Sequence, residues 1–491
     1  MKGVFDKYLY LIVLAGCLIL LFILSLLSEG YFGGADNINH YFISHYAFKY
    51  PLLFLNSWGR PLYTILSSPF AQFGFHGAVL FNVFLGILTA FIAYRVVKKL
   101  EITPPVLIIL FVCFTPLYCI MLLTSLTEIL FGFVLVLAIY FFFQKKYVLS
   151  SVIISFLPFA RSEGFILLII FFLAYLLKKE FKAIPFLLSG FLFFSLTGCF
   201  FYKDLLWVIH KFPYVKKHSV YLETGPLLYF FNKRQFIFGL PYQILFLFGL
   251  SGLILRFFSK DKHLKVKAFY EFLLILLPFV IYFIFHSFLF WKGIGGSVGE
   301  IRVMAGILPL SAIICLMGYQ MIDVVFLRER WRKLLFAIVV ISWCLFTNFT
   351  VFQYPVNLGP EETIIKQATS WVQSRNFSKK PVYFTDLNSC FFLGLDPYDT
   401  KQSFQLWTPR YLDFIPDSSI LIWDAHFGPN ESKISLDSLN LNAHFKLLKI
   451  FKPPSERKTY GGHSYEVDIF MKLPVTEVSF NLAIRDSILA R

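Results

Sequence analysis

Long apolar runs alternate with short polar connections over most of the chain. A helix needs about 20 apolar residues to cross a bilayer. Segments that meet or approach this length are 8–27, 76–97, 104–123, 126–143, 147–160, 164–177, 183–201, 236–256, 268–290, 303–326 and 334–352. The pattern predicts an all-α polytopic membrane domain of about 11 transmembrane helices over residues 1–352.

Two of these segments are short for a membrane span. Residues 147–160 and 164–177 would each form a helix of about 21 Å, against a hydrocarbon core of about 30 Å. The turn between them reads "RSEG". Charged, irregular backbone is tolerated below the membrane surface only where protein surrounds it. We therefore expect this turn to line a protein-walled cavity.

The pattern changes after residue 352. The stretch "EETIIKQATSWVQSRN" has the spacing of an amphipathic helix, and four later stretches have the character of strands: "PVYFT", "SILIWDA", "HFKLLKIF" and "YEVDIFMKL". Residues 353–491 are therefore predicted to form a small C-terminal α/β domain.

Basic residues give the predicted orientation. If the N-terminus is cytoplasmic, the cytoplasmic connections are "RVVKKLEI", "QKKY", "KKEFK", "RFFSKDKHLKVK" and "RERWRK". All are basic, as the positive-inside rule requires. The first outer loop, 28–75, and the C-terminal domain would then be extracytoplasmic or periplasmic, on a multi-pass protein of the cytoplasmic (inner) membrane. The opposite connection 202–235 is also basic, which suggests contact with an anionic partner.

The amino-acid composition supports a membrane protein and gives no reason to predict a nucleic-acid partner. The chain is 57% hydrophobic and 15% charged, whereas soluble domains have about 25% charged residues. The formal net charge of +16 reflects loop bias, so no nucleic-acid partner is predicted. Six of the seven cysteines lie in apolar spans without a CxxC pair, so neither a disulfide framework nor a cysteine metal site is expected.

The connections predicted on the outer side of the membrane contain polar residues that membrane insertion alone does not explain. These residues all lie at or near the predicted outer ends of the spans. The candidate catalytic residues are Asp36 and Glu128, and the candidate substrate-binding residues are His40, Arg60, Arg161, Glu163, His286, Lys292, Glu300 and Arg302.

Asp36 follows two glycines and precedes an aromatic stretch suited to a helix in the membrane interface, "INHYFISHYAFKYPLLFL". Its carboxylate could accept a proton from an acceptor hydroxyl or amine. The alternative is an N-cap of that helix. Glu128 also stands where a helix begins, where an acidic residue is favoured. Asp36, His40 and Glu128 could instead bind a divalent metal, but no cofactor or metal site is firmly predicted.

Arg161 and Arg302 are candidates for holding a phosphate, because the guanidinium fork matches phosphate oxygens. The alternative is structural pairing with Glu163 and Glu300. His286 could equally be a satisfied polar residue at a helix end. Arg60 could simply extend its charge to the interface.

These stretches together resemble the GT-C superfamily of integral membrane glycosyltransferases, which use sugars carried on polyprenyl phosphates. The stretches that carry the resemblance are "GGADNINHYF", "WGRPLY", "TSLTEILFGFVLVLAIYFF", "FARSEGFILL" and "GEIRVMAGILPL". Their order follows the spans over residues 8–352. Two details depart from the common pattern: Ser162 stands where the family often has Pro, and Val303 where it often has Tyr.

The resemblance implies a role for each matching residue. Asp36, in the first outer loop, would act as the base, orient the acceptor or bind a metal. Arg161, Arg302 and His286 would hold the donor phosphate. Asn37 follows Asp36 where some branches have a second acid, which argues against metal dependence.

The predicted function is transfer of a sugar from a polyprenyl-phosphate donor to a glycan, lipid or protein acceptor on the outer face of the membrane, with inversion at the anomeric carbon. Three alternatives stay open. They are a polymerase or ligase using lipid-linked oligosaccharides, a polytopic transporter or flippase, and a scaffold for the outer domain.

Overall fold

The computed structural model describes residues 2–211, 223–295 and 297–474. The chain forms two compact units, Met1–Asn357 and Leu358–Arg491. The basic connection predicted at 202–235 lies partly outside the described residues.

The first unit is built from helices joined by short turns. Its α-helices are α1 (Lys2–Leu27), α2 (Asp36–Tyr46), α3 (Pro61–Ala71), α4 (Phe75–Lys99), α5 (Leu107–Cys113), α6 (Pro116–Leu122), α7 (Glu128–Phe143), α8 (Tyr147–Ser155), α9 (Leu157–Ala160), α10 (Gly164–Lys178), α11 (Ser189–Tyr202), α12 (Trp207–His210), α13 (Tyr229–Asn232), α14 (Arg234–Ile237), α15 (Leu240–Phe257), α16 (Lys262–Glu271), α17 (Leu277–Lys292), α18 (Leu308–Phe326) and α19 (Arg330–Val351). Turns of 3₁₀-helix cover Pro51–Leu55, Phe181–Leu188 and Ile301–Ile307, and a π-helical turn, Phe272–Leu276, joins α16 to α17.

Seven helical segments among the described residues are long and apolar enough to cross a membrane: Tyr8–Leu27, Phe75–Lys99, Phe181–Tyr202, Leu240–Phe257, Lys262–Lys292, Ile301–Phe326 and Arg330–Val351. Three shorter apolar helical segments are Glu128–Phe143, Tyr147–Ala160 and Gly164–Lys178. The chain is therefore a mostly helical, multi-pass membrane protein. The count of eleven spans stays a prediction.

The predicted span 104–123 is broken in the middle. Helix α5 ends at Cys113, and Thr115 is extended (ψ 126°) before Pro116, which begins α6. A proline disfavours helical backbone in the residue before it and cannot donate to the turn behind it. The side chain of Asn348 donates to the carbonyl of Phe114 at 3.1 Å. A polar group on α19 thus satisfies backbone that the break leaves unpaired inside the bundle.

Helices α15 and α18 approach each other closely through glycines. A Cβ at Gly249 would overlap the carbonyl of Ile314, and a Cβ at Gly318 would overlap that of Leu245. Small residues let apolar helices pack backbone to backbone, which is a main source of association inside a membrane.

The first loop is more broken than the predicted interfacial helix. Helix α2 ends at Tyr46, and Pro51 begins a separate 3₁₀ turn. Ile38 and Phe42 are buried rather than spread on a surface. The loop therefore packs into the first unit and carries α2 with it.

The second unit is a small α/β fold. Its strands are β1 (Val382–Phe384), β2 (Ser403–Gln405), β3 (Ile420–Asp424), β4 (Phe445–Phe451) and β5 (Val467–Lys472), and its α-helices are α20 (Pro360–Ser374), α21 (Leu387–Leu393), α22 (Phe427–Asn430) and α23 (Leu436–Asn440), with 3₁₀ turns at Phe377–Lys379 and Pro409–Phe414. The sheet order is β2-β1-β3-β5-β4. Strands β1, β2 and β3 are parallel, and β5 is antiparallel to both β3 and β4. The sequence pattern missed only β2 among the described strands.

Several carboxyl groups of this unit are buried. Asp386 accepts hydrogen bonds from its neighbour Asn388, and Asp424 accepts from the backbone of His426 and Phe427. Asp468 on β5 differs, because its Oδ1 is buried without a hydrogen-bond partner among the described residues. Burial, and then the nearby charge of Glu466, raises the pKa of Asp468 to about 7.

Candidate functional site

A glycine turn places Asp36 at the start of α2. Gly33 and Gly34 have positive φ angles of 93° and 73°, a region that glycine enters without a Cβ clash. A Cβ at Gly33 would also meet Leu126 and the side chain of Arg302. The N-cap of α2 is Ala35, and no side chain caps this helix end. Asp36 is therefore the first helical residue and does not act as the N-cap.

The carboxylate of Asp36 is paired with Arg302. Nη2 of Arg302 donates to Oδ2 of Asp36, and Nη1 donates to the carbonyl of Gly33 at 2.6 Å. The side chain of Arg302 is 16% exposed and that of Asp36 is 43% exposed. Arg302 thus fixes both the carboxylate and the turn before it, while the carboxylate stays open to solvent.

A second cation, Arg161, joins two more carboxylates. Its Nη1 donates to Oε1 of Glu128 at 2.6 Å, and its Nη2 donates to Oε1 of Glu163 at 2.9 Å. Nε2 of His286 lies 3.6 Å from the same Glu163 oxygen. Glu128 begins α7 without capping it through its side chain, and both Glu128 and His286 are buried. The expected Arg161–Glu163 pair is present, with Glu128 as an additional partner.

His40 and Arg60 lie beside this network. The His40 ring stacks on Trp58, with ring centroids 4.7 Å apart, and meets the edge of Tyr63. Burial lowers the pKa of His40 to about 3, so His40 is neutral at ordinary pH. Arg60 is buried at the start of α3 rather than extended to an interface. It lines a cleft of about 40 Å³ together with Ser57, Pro61, Pro158, Phe159, Phe165, Trp207 and Val208.

The two remaining candidates have different surroundings. Glu300 is partly buried just before the 3₁₀ turn that carries Arg302, and burial raises its pKa although Arg302 opposes the shift. No ion pair joins Glu300 to Arg302 among the described residues, so the expected pair is replaced by Asp36–Arg302. Lys292 is exposed, with its Nζ 3.6 Å from the centroid of the Trp291 ring.

The structure places six of the predicted residues in two charged clusters, Asp36–Arg302 and Arg161–Glu128–Glu163–His286, and leaves Lys292 on the surface. Four polar atoms in or beside these clusters are buried without a hydrogen-bond partner among the described residues: His40 Nδ1, Tyr63 Oη, Glu128 Oε2 and His286 Nε2. Unsatisfied buried polar atoms are uncommon in folded proteins, and they are available to bond a ligand.

The residues around Asp36 do not fit a divalent metal site. Within the described parts of the chain, no group of three or more His, Cys, Asp or Glu side chains is arranged to hold a metal ion. The Asp36 carboxylate already carries a guanidinium, and the His40 ring lies against Trp58. Arg302 already neutralises this carboxylate through Oδ2, which weakens its attraction for a divalent cation.

Asn37 entered the sequence analysis only as a departure from a paired acidic motif, and Asn82 did not enter it, although both hold the site together. Asn37 links the Asp36 loop to the turn before α7, and Asn82 on α4 holds that turn from another direction. The sequence does contain a signal for Asn82, which is a lone asparagine inside an apolar helix. A buried amide needs hydrogen-bond partners, so such a residue indicates a polar contact inside the bundle.

Solved structures with the same architecture identify the fold. ArnT from Cupriavidus metallidurans, bound to undecaprenyl phosphate, matches with a TM-score of 0.58 and 10% identity over 94% of this chain and 98% of that one. An Archaeoglobus fulgidus oligosaccharyltransferase tethered to an acceptor peptide matches with a TM-score of 0.51 and 13% identity over 81% of this chain. The chain has the GT-C fold. At these identities the likeness to GT-C glycosyltransferases establishes the fold alone.

The chain is shorter than the archaeal oligosaccharyltransferases that it resembles. The chain spans 64% of the length of the peptide-tethered oligosaccharyltransferase. It spans 70% of the archaeal AglB structure from the same organism that contains an inhibitory peptide and a dolichol-phosphate, with a TM-score of 0.51 and 12% identity over 86% of this chain. No family model matches the sequence, and no curated protein matches it.

Proposed function

We propose that this protein is a membrane glycosyltransferase that transfers a sugar from a polyprenyl-phosphate donor to an acceptor at the outer face of the cytoplasmic membrane. The observation that carries the proposal is the presence on a GT-C fold of two ion-paired arginines, Arg302 with Asp36 and Arg161 with Glu128. Guanidinium groups stabilise phosphate oxygens, and a half-exposed carboxylate beside them can accept a proton.

Asp36 is suited to the role of base. Oδ2 is held by Arg302, and the described residues provide no hydrogen bond for Oδ1. The acceptor O–H or N–H would give its proton to this oxygen while its heavy atom bonds the anomeric carbon. The bond from that carbon to the phosphate oxygen breaks, and the lipid phosphate leaves. This displacement inverts the anomeric centre.

Arg302 and Arg161 would stabilise the charge that develops on the leaving phosphate. Both guanidinium groups are held by carboxylates before substrate binds, so little reorganisation is needed during the reaction. The buried, unsatisfied atoms of Tyr63, Glu128 and His286 could bond hydroxyl groups of the sugar or oxygens of the phosphate. No step requires a metal.

The test is a transfer assay with purified protein in lipid nanodiscs. A radiolabelled polyprenyl-phosphate monosaccharide is offered with glycan, lipid and peptide acceptors, and a polyprenyl-diphosphate oligosaccharide is offered in parallel. We expect label to reach an acceptor only from the monosaccharide donor. Transfer only from the oligosaccharide donor would support the ligase alternative. ATP-independent movement of labelled lipid between leaflets without transfer would support a flippase.

The orientation has a separate test. Ser374 is exposed near the end of α20 in the second unit, and basic loops predict that this unit lies outside the cytoplasm. A cysteine substituted at this position should react with an impermeant thiol reagent in intact spheroplasts. Reaction only after lysis would reverse the topology and place the proposed site on the cytoplasmic face.

A further inference from the structure

Asn37 is fully buried between the turn that presents Asp36 and the segment that leads into Glu128. Its Nδ2 donates to the carbonyls of Phe32 and Gly34, each at 2.9 Å, so it closes the turn that presents Asp36. Its Oδ1 accepts from the backbone N–H of Ser125 at 3.0 Å. The Ser125 hydroxyl in turn donates to the carbonyl of Asn37 at 2.7 Å. One side chain thus ties the Asp36 turn to the segment that leads into Glu128.

Asn82 fixes the same segment from α4. Its Nδ2 donates to the carbonyls of Thr124 and Leu126, at 2.7 and 2.8 Å. The turn that contains Ser125 is therefore held by an amide on each side. Glu128, which begins α7 directly after this turn, is bonded to Arg161. The position of Asp36 relative to the Glu128–Arg161 pair is consequently set through Asn37, Ser125 and Asn82.

The chemistry of this position requires an amide. Asn37 uses both N–H donors and its carbonyl acceptor, and each partner is a backbone group whose role cannot be reversed. An aspartate of the same shape would still accept from Ser125. Its other oxygen would face the carbonyls of Phe32 and Gly34 without a proton to share, in a site closed to water.

We propose that Asn37 is a positioning residue that holds the Asp36 carboxylate in register with the Glu128–Arg161 pair, and that an acid cannot replace it. This inference rests on the proposed transferase function. Asn37 contacts no reacting atom in this role; it acts through the turn that carries Asp36 and the Gly33 carbonyl to which Arg302 donates.

The first test compares Asn37→Asp with Asn39→Asp. Asn39 lies two residues further along α2 and is only partly buried, so the control adds the same charge to the same helix. A displacement of about 1 Å at a reacting group can cost about 100-fold in rate. We expect Asn37→Asp to lower kcat per folded molecule by about 10- to 100-fold, and Asn39→Asp to change it by less than about threefold. Equal effects of the two substitutions would overturn the inference.

A pH profile separates positioning through hydrogen bonds from general damage to the fold. When the carboxyl introduced by Asn37→Asp is protonated, it regains one O–H donor for the turn carbonyls, so the kcat deficit of this variant relative to wild type should shrink as pH falls. A deficit that is constant with pH would contradict the requirement for a donor. If Asn37→Asp does not fold, Ser125→Ala tests the same link by removing only the hydroxyl bond to the Asn37 carbonyl. We then expect a fall of about threefold or more in kcat with a Tm shift no larger than the loss of one buried hydrogen bond explains, and wild-type kcat would overturn the inference.

A thermal double-mutant cycle keeps the inference separate from the proposed function. Asn37→Ala removes the amide oxygen that accepts from the Ser125 N–H, and Ser125→Ala removes the hydroxyl that donates to the Asn37 carbonyl, so each substitution breaks one of two parallel bonds between the same segments. Because the loss of either bond loosens the other, the Tm shift of the double variant should be smaller than the sum of the single shifts. Additive shifts would show that the bridge is absent and overturn the inference. A wild-type protein that transfers no sugar, combined with non-additive shifts, would refute the proposed function and leave the bridge established.

Discussion

Arg302→Ala is the most informative single substitution in the site. It removes the bond from Nη2 to Asp36 and the 2.6 Å bond from Nη1 to the Gly33 carbonyl. Both partners belong to the turn that begins α2. The substitution therefore tests whether Arg302 serves only to hold this turn or also acts on substrate.

The expected stability cost is modest. Because the Asp36 side chain is 43% exposed, water can solvate its carboxylate once the guanidinium is gone. We assign about 1 kcal/mol to this pair and about 1–1.5 kcal/mol to the bond to the Gly33 carbonyl, or about 2–2.5 kcal/mol together. Loss of a charge-stabilising group in a transition state typically costs about 10²- to 10³-fold in kcat. The activity loss should therefore exceed what the stability loss explains.

The assay measures transfer from a polyprenyl-phosphate sugar per folded molecule, with Tm measured on the same preparations. The matched control is Arg256→Ala. Arg256 pairs with Glu271 at 2.8 Å, and Glu271 is fully buried, so the control breaks an ion pair that includes none of the site residues. We expect it to lower Tm at least as much and to leave turnover per folded molecule within about threefold.

Two further results would refute this reasoning. Arg302→Ala with turnover within about threefold of wild type would show that the residue has only a structural role. Arg256→Ala with an equal turnover deficit would show that any buried pair has this effect. Arg302→Lys should be intermediate, because a single ammonium cannot reproduce a fork that reaches both Asp36 and Gly33.

The described contacts support three other predictions. Asp36→Asn should reduce transfer by about 10²- to 10⁴-fold while binding of polyprenyl phosphate, measured by microscale thermophoresis, stays within about threefold; near-normal transfer would make Glu128 the next candidate for the base. Excess EDTA should leave wild-type transfer unchanged, because Arg302 already neutralises the Asp36 carboxylate through Oδ2. Activity lost to EDTA and restored by Mg²⁺ or Mn²⁺ would contradict this expectation. Asp468→Asn should flatten the pH dependence of stability in the second unit. When burial raises the folded pKa of a carboxyl from 3.8 to about 7, the folded protein loses stability progressively as pH rises between these values. At about 1.4 kcal/mol per pKa unit, the variant should be more stable than wild type by at most about 4 kcal/mol at pH 7 and about equally stable at pH 4. Hydrogen exchange of β3 and β5 measures this difference, and equal protection of wild type and variant at pH 7 would refute it.

The hydrophobic pattern correctly predicted a mostly helical membrane unit, because burial and membrane insertion act on whole segments. It could not place the break in 104–123, although Pro116 offered a signal, because prolines also occur inside bent membrane helices. It missed β2, whose three residues "SFQ" have no alternation long enough to recognise.

The ion pairs show where sequence proximity misleads. Glu163 lies two residues from Arg161 and does pair with it, whereas Glu300 lies two residues from Arg302 and does not. The partner of Arg302 is instead Asp36, 266 positions earlier in the chain. Such a choice depends on how helices pack, which the local pattern does not record.

The short helix α10 has a consequence for the lipid around the protein. Its 15 residues measure about 22 Å, and Ile169, Leu173 and Leu177 are exposed along it. Where acyl chains contact this face, they would meet a helix shorter than the usual hydrocarbon thickness. A difference between helix length and hydrocarbon thickness is accommodated by local thinning of the bilayer. A dimple in the leaflet next to Arg161 would let the headgroup of an isoprenoid descend to the guanidinium while its tail remains among lipid chains. For the proposed isoprenoid donor, membrane thickness would then be a physical variable of substrate access, set by the host lipids as much as by the protein.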